Sequence, residues 1–183
     1  MENNIGMKKA LWLEDQFEDL IDYASRLARI DYLVDPVTSV SEALEKLKAE
    51  RYDAFIFDLK ILPGDDQKWK DLDESRRKAK PYFDPYLGFE LLCYLNQARQ
   101  ENAPLWRKIH FDFARVIVFS VVSDKAVFEE LESFGIPPNQ MINKSNADLD
   151  TLEKAVEEME KDRSEEEKTL NNKRMPNEPD SSG

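Results

Sequence analysis

The run Ala54-Phe55-Ile56-Phe57 constrains this chain more than any other segment. It is apolar at every position and closes on an acid, Asp58. A strand with one wet face alternates apolar and polar residues, so a run with no polar position belongs in the middle of a sheet covered on both sides. Four other short runs read as strands: Ala10–Leu13, Tyr32–Val34 ahead of Pro36, Val116–Ser120 and the weaker Met141–Asn143. Helical patterns separate them. Phe17, Leu20, Ile21, Ala24, Leu27 and Ala28 recur at three- and four-residue steps. Ser39 and Glu42 have capping-box spacing ahead of Ala43, Leu44 and Leu47. Further helices are expected over Phe89–Asn96, Lys125–Phe134 and Asp148–Met159. Strand and helix in alternation build an α/β domain, a parallel sheet with right-handed crossovers and helices on both faces.

Two segments break the alternation. Residues 63–87 carry six basic and six acidic residues, three prolines and the aromatics Trp69, Tyr82, Phe83 and Tyr86. A loop of this length inside a compact domain is unusual and is often functional. The second is the tail from Lys161 to Gly183, whose sizeable apolar residues are Leu170 and Met175. It buries too little to offset its ordering entropy and is expected to be disordered. The expected division is therefore a short extension over 1–7, one domain over 8–160 and a charged tail over 161–183. A tail of about 20 residues is too short for another domain, so output is expected through binding a separate, unidentified protein.

Composition removes several function classes. Lys and Arg total 26 against 38 Asp and Glu, a net charge of −12. Partners that are nucleic acid or anionic membrane call for clustered positive charge, and neither is expected here. One cysteine, Cys93, and one histidine, His110, allow no internal disulfide and no zinc cluster. Cys93 lies in an apolar helical pattern and reads as core; His110 lies in an aromatic connector, Pro104–Phe113, expected to pack beneath the fourth strand. No Gly-rich phosphate loop is present, and no signal core or membrane-length apolar run appears. A soluble, cytoplasmic protein is expected.

The polar residues at the strand ends carry the chemistry. The first strand ends in Glu14-Asp15, the third in Asp58, the fourth in Ser120 and the fifth in Lys144. Open parallel sheets bind ligands beyond the carboxyl ends of their strands. Three carboxylates gathered there repel and raise one another's pKa, a conflict that a hard cation such as Mg²⁺ relieves. One of them could then attack a phosphoryl donor, with a lysine and a hydroxyl stabilising the transferred group. Taken singly, each residue has a plain structural reading: first-turn helix acids, an Asx loop residue, a backbone-satisfied hydroxyl, a solvated lysine. Together on successive strand ends they favour a site.

In this order the pieces Leu11-Trp12-Leu13-Glu14-Asp15, Phe55-Ile56-Phe57-Asp58-Leu59, Gly88-Phe89-Glu90-Leu91-Leu92, Val116-Ile117-Val118-Phe119-Ser120 and Ile142-Asn143-Lys144 resemble the receiver domain of two-component response regulators. The resemblance runs from about Lys8 to Glu160, with 63–87 as an insertion. It implies a flavodoxin-like, doubly wound, five-stranded parallel sheet in the order 2-1-3-4-5. It implies that Asp58 accepts a phosphoryl group from a histidine kinase or phosphotransfer protein. Asp15, Asp58 and the Lys60 carbonyl would hold Mg²⁺, with Glu14 assisting through water. Lys144 would pair with the phosphoryl group, and Ser120 would report its presence. Receivers also pair as homodimers through the helix after the fourth strand and the fifth strand.

Four positions depart from the family pattern. Pro63 is five residues past Asp58 instead of four, Val121 replaces a small residue, Met141 replaces an aromatic switch, and Ser145 replaces a proline after the lysine. A second reading follows, a pseudo-receiver that binds a protein without phosphorylation. A phosphatase with a strand-end Asp nucleophile would need a second Asp two residues on, where Lys60 stands.

Overall fold

A computed structural model describes residues 6–80 and 85–174. Five parallel strands, β1 (Lys8–Leu13), β2 (Tyr32–Val37), β3 (Ala54–Phe57), β4 (Val116–Ser120) and β5 (Met141–Asn143), form one sheet in the order β2-β1-β3-β4-β5. The helices are α1 (Ile21–Arg29), α2 (Val40–Ala49), α3 (Gln67–Ala79), α4 (Leu87–Gln100), α5 (Lys125–Ser133) and α6 (Leu149–Arg174). This is the expected flavodoxin-like sheet.

Period-two alternation sorts the strand side chains onto two apolar faces. Leu11, Leu13, Phe55, Phe57, Val116 and Val118 join residues of α2, α4 and α5 in one cluster. Ala10, Trp12, Ala54, Ile56, Ile117 and Phe119 join Leu27 of α1 and Leu152, Ala155, Val156 and Met159 of α6 in the other. β3 and β4 are buried along their whole length, and β1 from Ala10 to Leu13, because both faces are covered. Within the connector, Ile109, Phe111 and Phe113 are buried, and Phe111 packs on Phe55 with ring centroids 4.5 Å apart. His110 is exposed there, and Cys93 is partly buried against the core, its thiol pushed up to about 12 by burial.

Several local expectations shift. β2 continues through Pro36 to Val37. The strand lies at the edge of the sheet, where a residue without an N–H is tolerated. Ser39 accepts from the Glu42 N–H at 3.3 Å, while the Glu42 carboxylate takes the Thr38 N–H at 2.8 Å, so the capping pair reaches one residue further back. Residues 63–87 are not one long loop, because they contain α3. The helix that was expected to stop near Met159 runs to Arg174, so residues 161–174 are helical; the rest of the expected tail lies outside the described residues. Once the buried stretch of α6 is formed, each added residue gains one backbone hydrogen bond, and Glu, Lys and Arg are strong helix formers.

The start of α4 lies close against the backbone that follows β3. The Gly88 N–H donates to the Leu59 carbonyl at 3.0 Å. A Cβ at Gly88 would stand 2.0 Å from the Asp58 carbonyl oxygen and 2.9 Å from the Leu59 Cα. Only glycine lets α4 start against the strand that carries Asp58. Gly88→Ala is expected to lower stability by about 3 kcal/mol, the upper range for overpacking, measured by urea denaturation. Gly6→Ala, with no atom within 4 Å of the new methyl, is expected to change nothing.

Candidate phosphoacceptor site

The strand order reverses between β1 and β3, and this is where an open α/β sheet leaves a crevice. Register brings the two acids to its rim. Leu13 lies opposite Phe57, and the Asp58 N–H donates to the Leu13 carbonyl at 2.9 Å. The Glu14 N–H continues the ladder to Val37 at 2.9 Å. Ser120 ends β4, two residues past the Phe57–Val118 pair. Beyond β5, Asn143 accepts from the Ser145 N–H at 2.8 Å and caps the single 3-10 turn that begins at Lys144.

These residues meet around one carboxylate. Ser120 Oγ donates to Asp58 Oδ1 at 2.6 Å, and the Lys60 N–H donates to the same oxygen at 2.9 Å. Lys144 Nζ donates to Asp58 Oδ2 at 2.6 Å and also to Glu14 Oε2. Glu14 Oε1 accepts from the Gln16 N–H at 3.1 Å. Ser120 Oγ is itself held by the N–H groups of Leu59 and Val122, at 3.4 and 3.3 Å. Glu14 is 2% exposed, Asp58 5% and Ser120 1%. Burial pushes the Glu14 carboxyl above its ordinary value, and the neighbouring Asp58 adds to this against the pull of Lys144.

Asp15 and the side chain of Lys60, whose N–H is already part of that network, line the same pocket. Asp15 is exposed and Lys60 half-buried on the wall of a cavity of about 340 Å³ that also includes Glu14, Asp58, Val121 and Lys144. Sequence reasoning missed a further lining residue, Arg77 from α3. It is one of many charges in a polar segment, and nothing in the local pattern set it apart.

Mg²⁺ takes hard oxygen donors, and Asp15, Asp58 and the main chain at Lys60 supply that chemistry to one cavity. The positive charge between Glu14 and Asp58 is the ammonium of Lys144. Among the described residues no three His, Cys, Asp or Glu side chains converge on a common metal position.

Lys144 compensates two buried carboxylates, and removing one partner of a buried ion pair strands the other charge. Lys144→Met is expected to cost about 3 kcal/mol at neutral pH. Glu14 already titrates high and loses its pull toward ionisation in this variant. The cost should therefore shrink as the pH falls and Glu14 takes up a proton. Urea denaturation at pH 7 and pH 5 measures both.

No protein-family model and no curated protein matches the sequence. Solved structures do match the fold. The signal receiver domain of a Luxo repressor protein from Vibrio parahaemolyticus aligns at 16% identity with a TM-score of 0.56, over 89% of this chain and 96% of that one. The signal receiver domain of a modulated diguanylate cyclase from Desulfovibrio desulfuricans aligns at 18% identity with a TM-score of 0.52, over 87% and 98%. What this chain shares with them is the receiver fold.

Proposed function

We propose that the chain is a phosphoacceptor receiver in which Asp58 takes a phosphoryl group from a phosphohistidine donor, a histidine kinase or a phosphotransfer protein. The observation that carries this reading is the arrangement on Asp58. Its carboxylate ends β3 at the switch point and is nearly buried, with a hydroxyl donor on one oxygen and an ammonium on the other, both at 2.6 Å. The receiver fold supports the reading.

In the transfer, a carboxylate oxygen of Asp58 attacks phosphorus, the P–N bond to histidine breaks, and its electron pair returns to the imidazole ring. Hydrolysis of the resulting acyl phosphate restores the carboxylate and releases inorganic phosphate. Lys144 bridges Glu14 and Asp58 and can turn toward phosphoryl oxygens without leaving the pocket. Ser120 Oγ, pinned by two N–H groups, is placed to donate to the same group. Asp15, Asp58 and the Lys60 carbonyl are the residues available to hold Mg²⁺, which would neutralise carboxylate charge during transfer. Output then goes through a protein partner. Among the described residues, no helix is long and apolar enough to cross a membrane.

A second reading draws on the same geometry. Lys144 already satisfies both Glu14 and Asp58, and Val121 is 48% exposed beside the pocket. A pseudo-receiver would keep this closed network as structure and bind its partner unmodified.

Acetyl phosphate with Mg²⁺ separates the two. Intact mass spectrometry is expected to show the gain of one phosphoryl group on wild type, with none on Asp58→Asn and none on wild type in EDTA. No gain on wild type would favour the pseudo-receiver.

A further inference from the structure

The β3-to-β4 crossover holds two helices, and the first, α3, is fixed to the body near both of its ends. At its start, the Ser41 hydroxyl donates to the Pro63 carbonyl at 2.7 Å and accepts from the Asp66 N–H at 3.0 Å. Gly64, at φ 80°, fits where a Cβ would stand 2.5 Å from Ser39 Oγ. In its first turn, Trp69 is 2% exposed and packs edge-on against Tyr94 of α4 at 5.8 Å. Near its end, Arg76 pairs with Glu90 of α4 at 2.6 Å. Three anchors leave α3 little freedom to rotate.

Arg77 follows the last anchor and faces a different way. Its Nε is held by both oxygens of Asp73, one turn back, at 3.1 and 3.0 Å. The side chain lines the cavity that contains Asp58, Lys60 and Lys144. Three carboxylates, Glu14, Asp15 and Asp58, thus share this cavity with three cations, Lys60, Arg77 and Lys144. A phosphoryl group on Asp58 would tip the balance toward negative charge. A guanidinium presents paired N–H donors that match phosphoryl oxygens.

We infer that Arg77 is a phosphoryl-binding residue, supplied by α3 to the group carried on Asp58. The inference rests on the phosphoacceptor reading and adds a contact that none of the strand ends provides. It also makes α3 an element that senses occupancy. A contact made from a helix anchored to α4 links the charge on Asp58 to the packing of that helix pair.

Beryllofluoride (BeF₃⁻) coordinates a carboxylate oxygen and copies the charge and tetrahedral shape of a phosphoryl group. Its affinity for the full chain in Mg²⁺ buffer, followed by ¹⁹F NMR titration, tests the inference. Arg77→Gln is expected to weaken binding about tenfold, the size of one charge-assisted hydrogen bond. Arg77→Lys should recover part of the loss, and the thermal midpoints of both should match wild type, since the side chain is half exposed. Lys78→Gln removes a neighbouring charge that does not line the cavity and should bind as wild type does. Equal affinity in wild type and Arg77→Gln would overturn the inference and leave the phosphoacceptor reading standing. So would an equal loss in Lys78→Gln, which would mean a general field effect. Wild type that binds no beryllofluoride would overturn both.

Discussion

One ammonium group holds the carboxyl edge of this sheet together. Lys144 Nζ bridges Glu14 and Asp58, two carboxylates that parallel pairing forces side by side and that the surrounding layers remove from water. Without the bridge, two like charges would share a low-dielectric crevice, an arrangement that costs several kcal/mol. The rest of the site follows from this constraint. Asn143 must cap the turn that aims Lys144, Ser120 and the Lys60 N–H must satisfy the second oxygen of Asp58, and Gly88 must let α4 approach the strand end.

The same arrangement suits a change of charge. A buried carboxylate with all its partners in place is a stable resting state, and each of those partners can also serve a phosphoryl group. Resting and modified forms would then differ by a redistribution of contacts around Asp58, with no need to assemble a new pocket. Arg77 and Lys60 line the wall that such a group would face. Exposed Val121 and Leu62 border the same cavity and give its mouth an apolar edge.

Much of this was legible in the sequence, for physical reasons that differ from place to place. The central strands announced themselves because residues such as Phe55 and Ile56 face opposite covered layers, so neither face could be polar. Glu14 and Asp58 stood out because each breaks an apolar run abruptly, and Ser120 and Lys144 because each stands at the end of an expected strand. α3 did not stand out: Trp69 is its one buried residue, and its charged surface follows no apolar period. The added length of α6 was hidden for a related reason, since residues 161–174 carry no apolar stripe in sequence and are rich in strong helix formers such as Glu, Lys and Arg. The extent of β2 was misjudged because Pro36 reads as a breaker unless the strand is known to lie at an edge. Arg77 depended on the placement of α3, which no local pattern encodes.

The bridge itself can be measured. A double-mutant cycle on folding stability with Asp58→Asn, Lys144→Met and the combined variant isolates the coupling between the two side chains. A coupling of at least about 1 kcal/mol is expected for a desolvated pair at hydrogen-bond distance. Additive effects of the two substitutions would mean that the ammonium and the carboxylate do not meet in solution, and the site described here would not exist in that form.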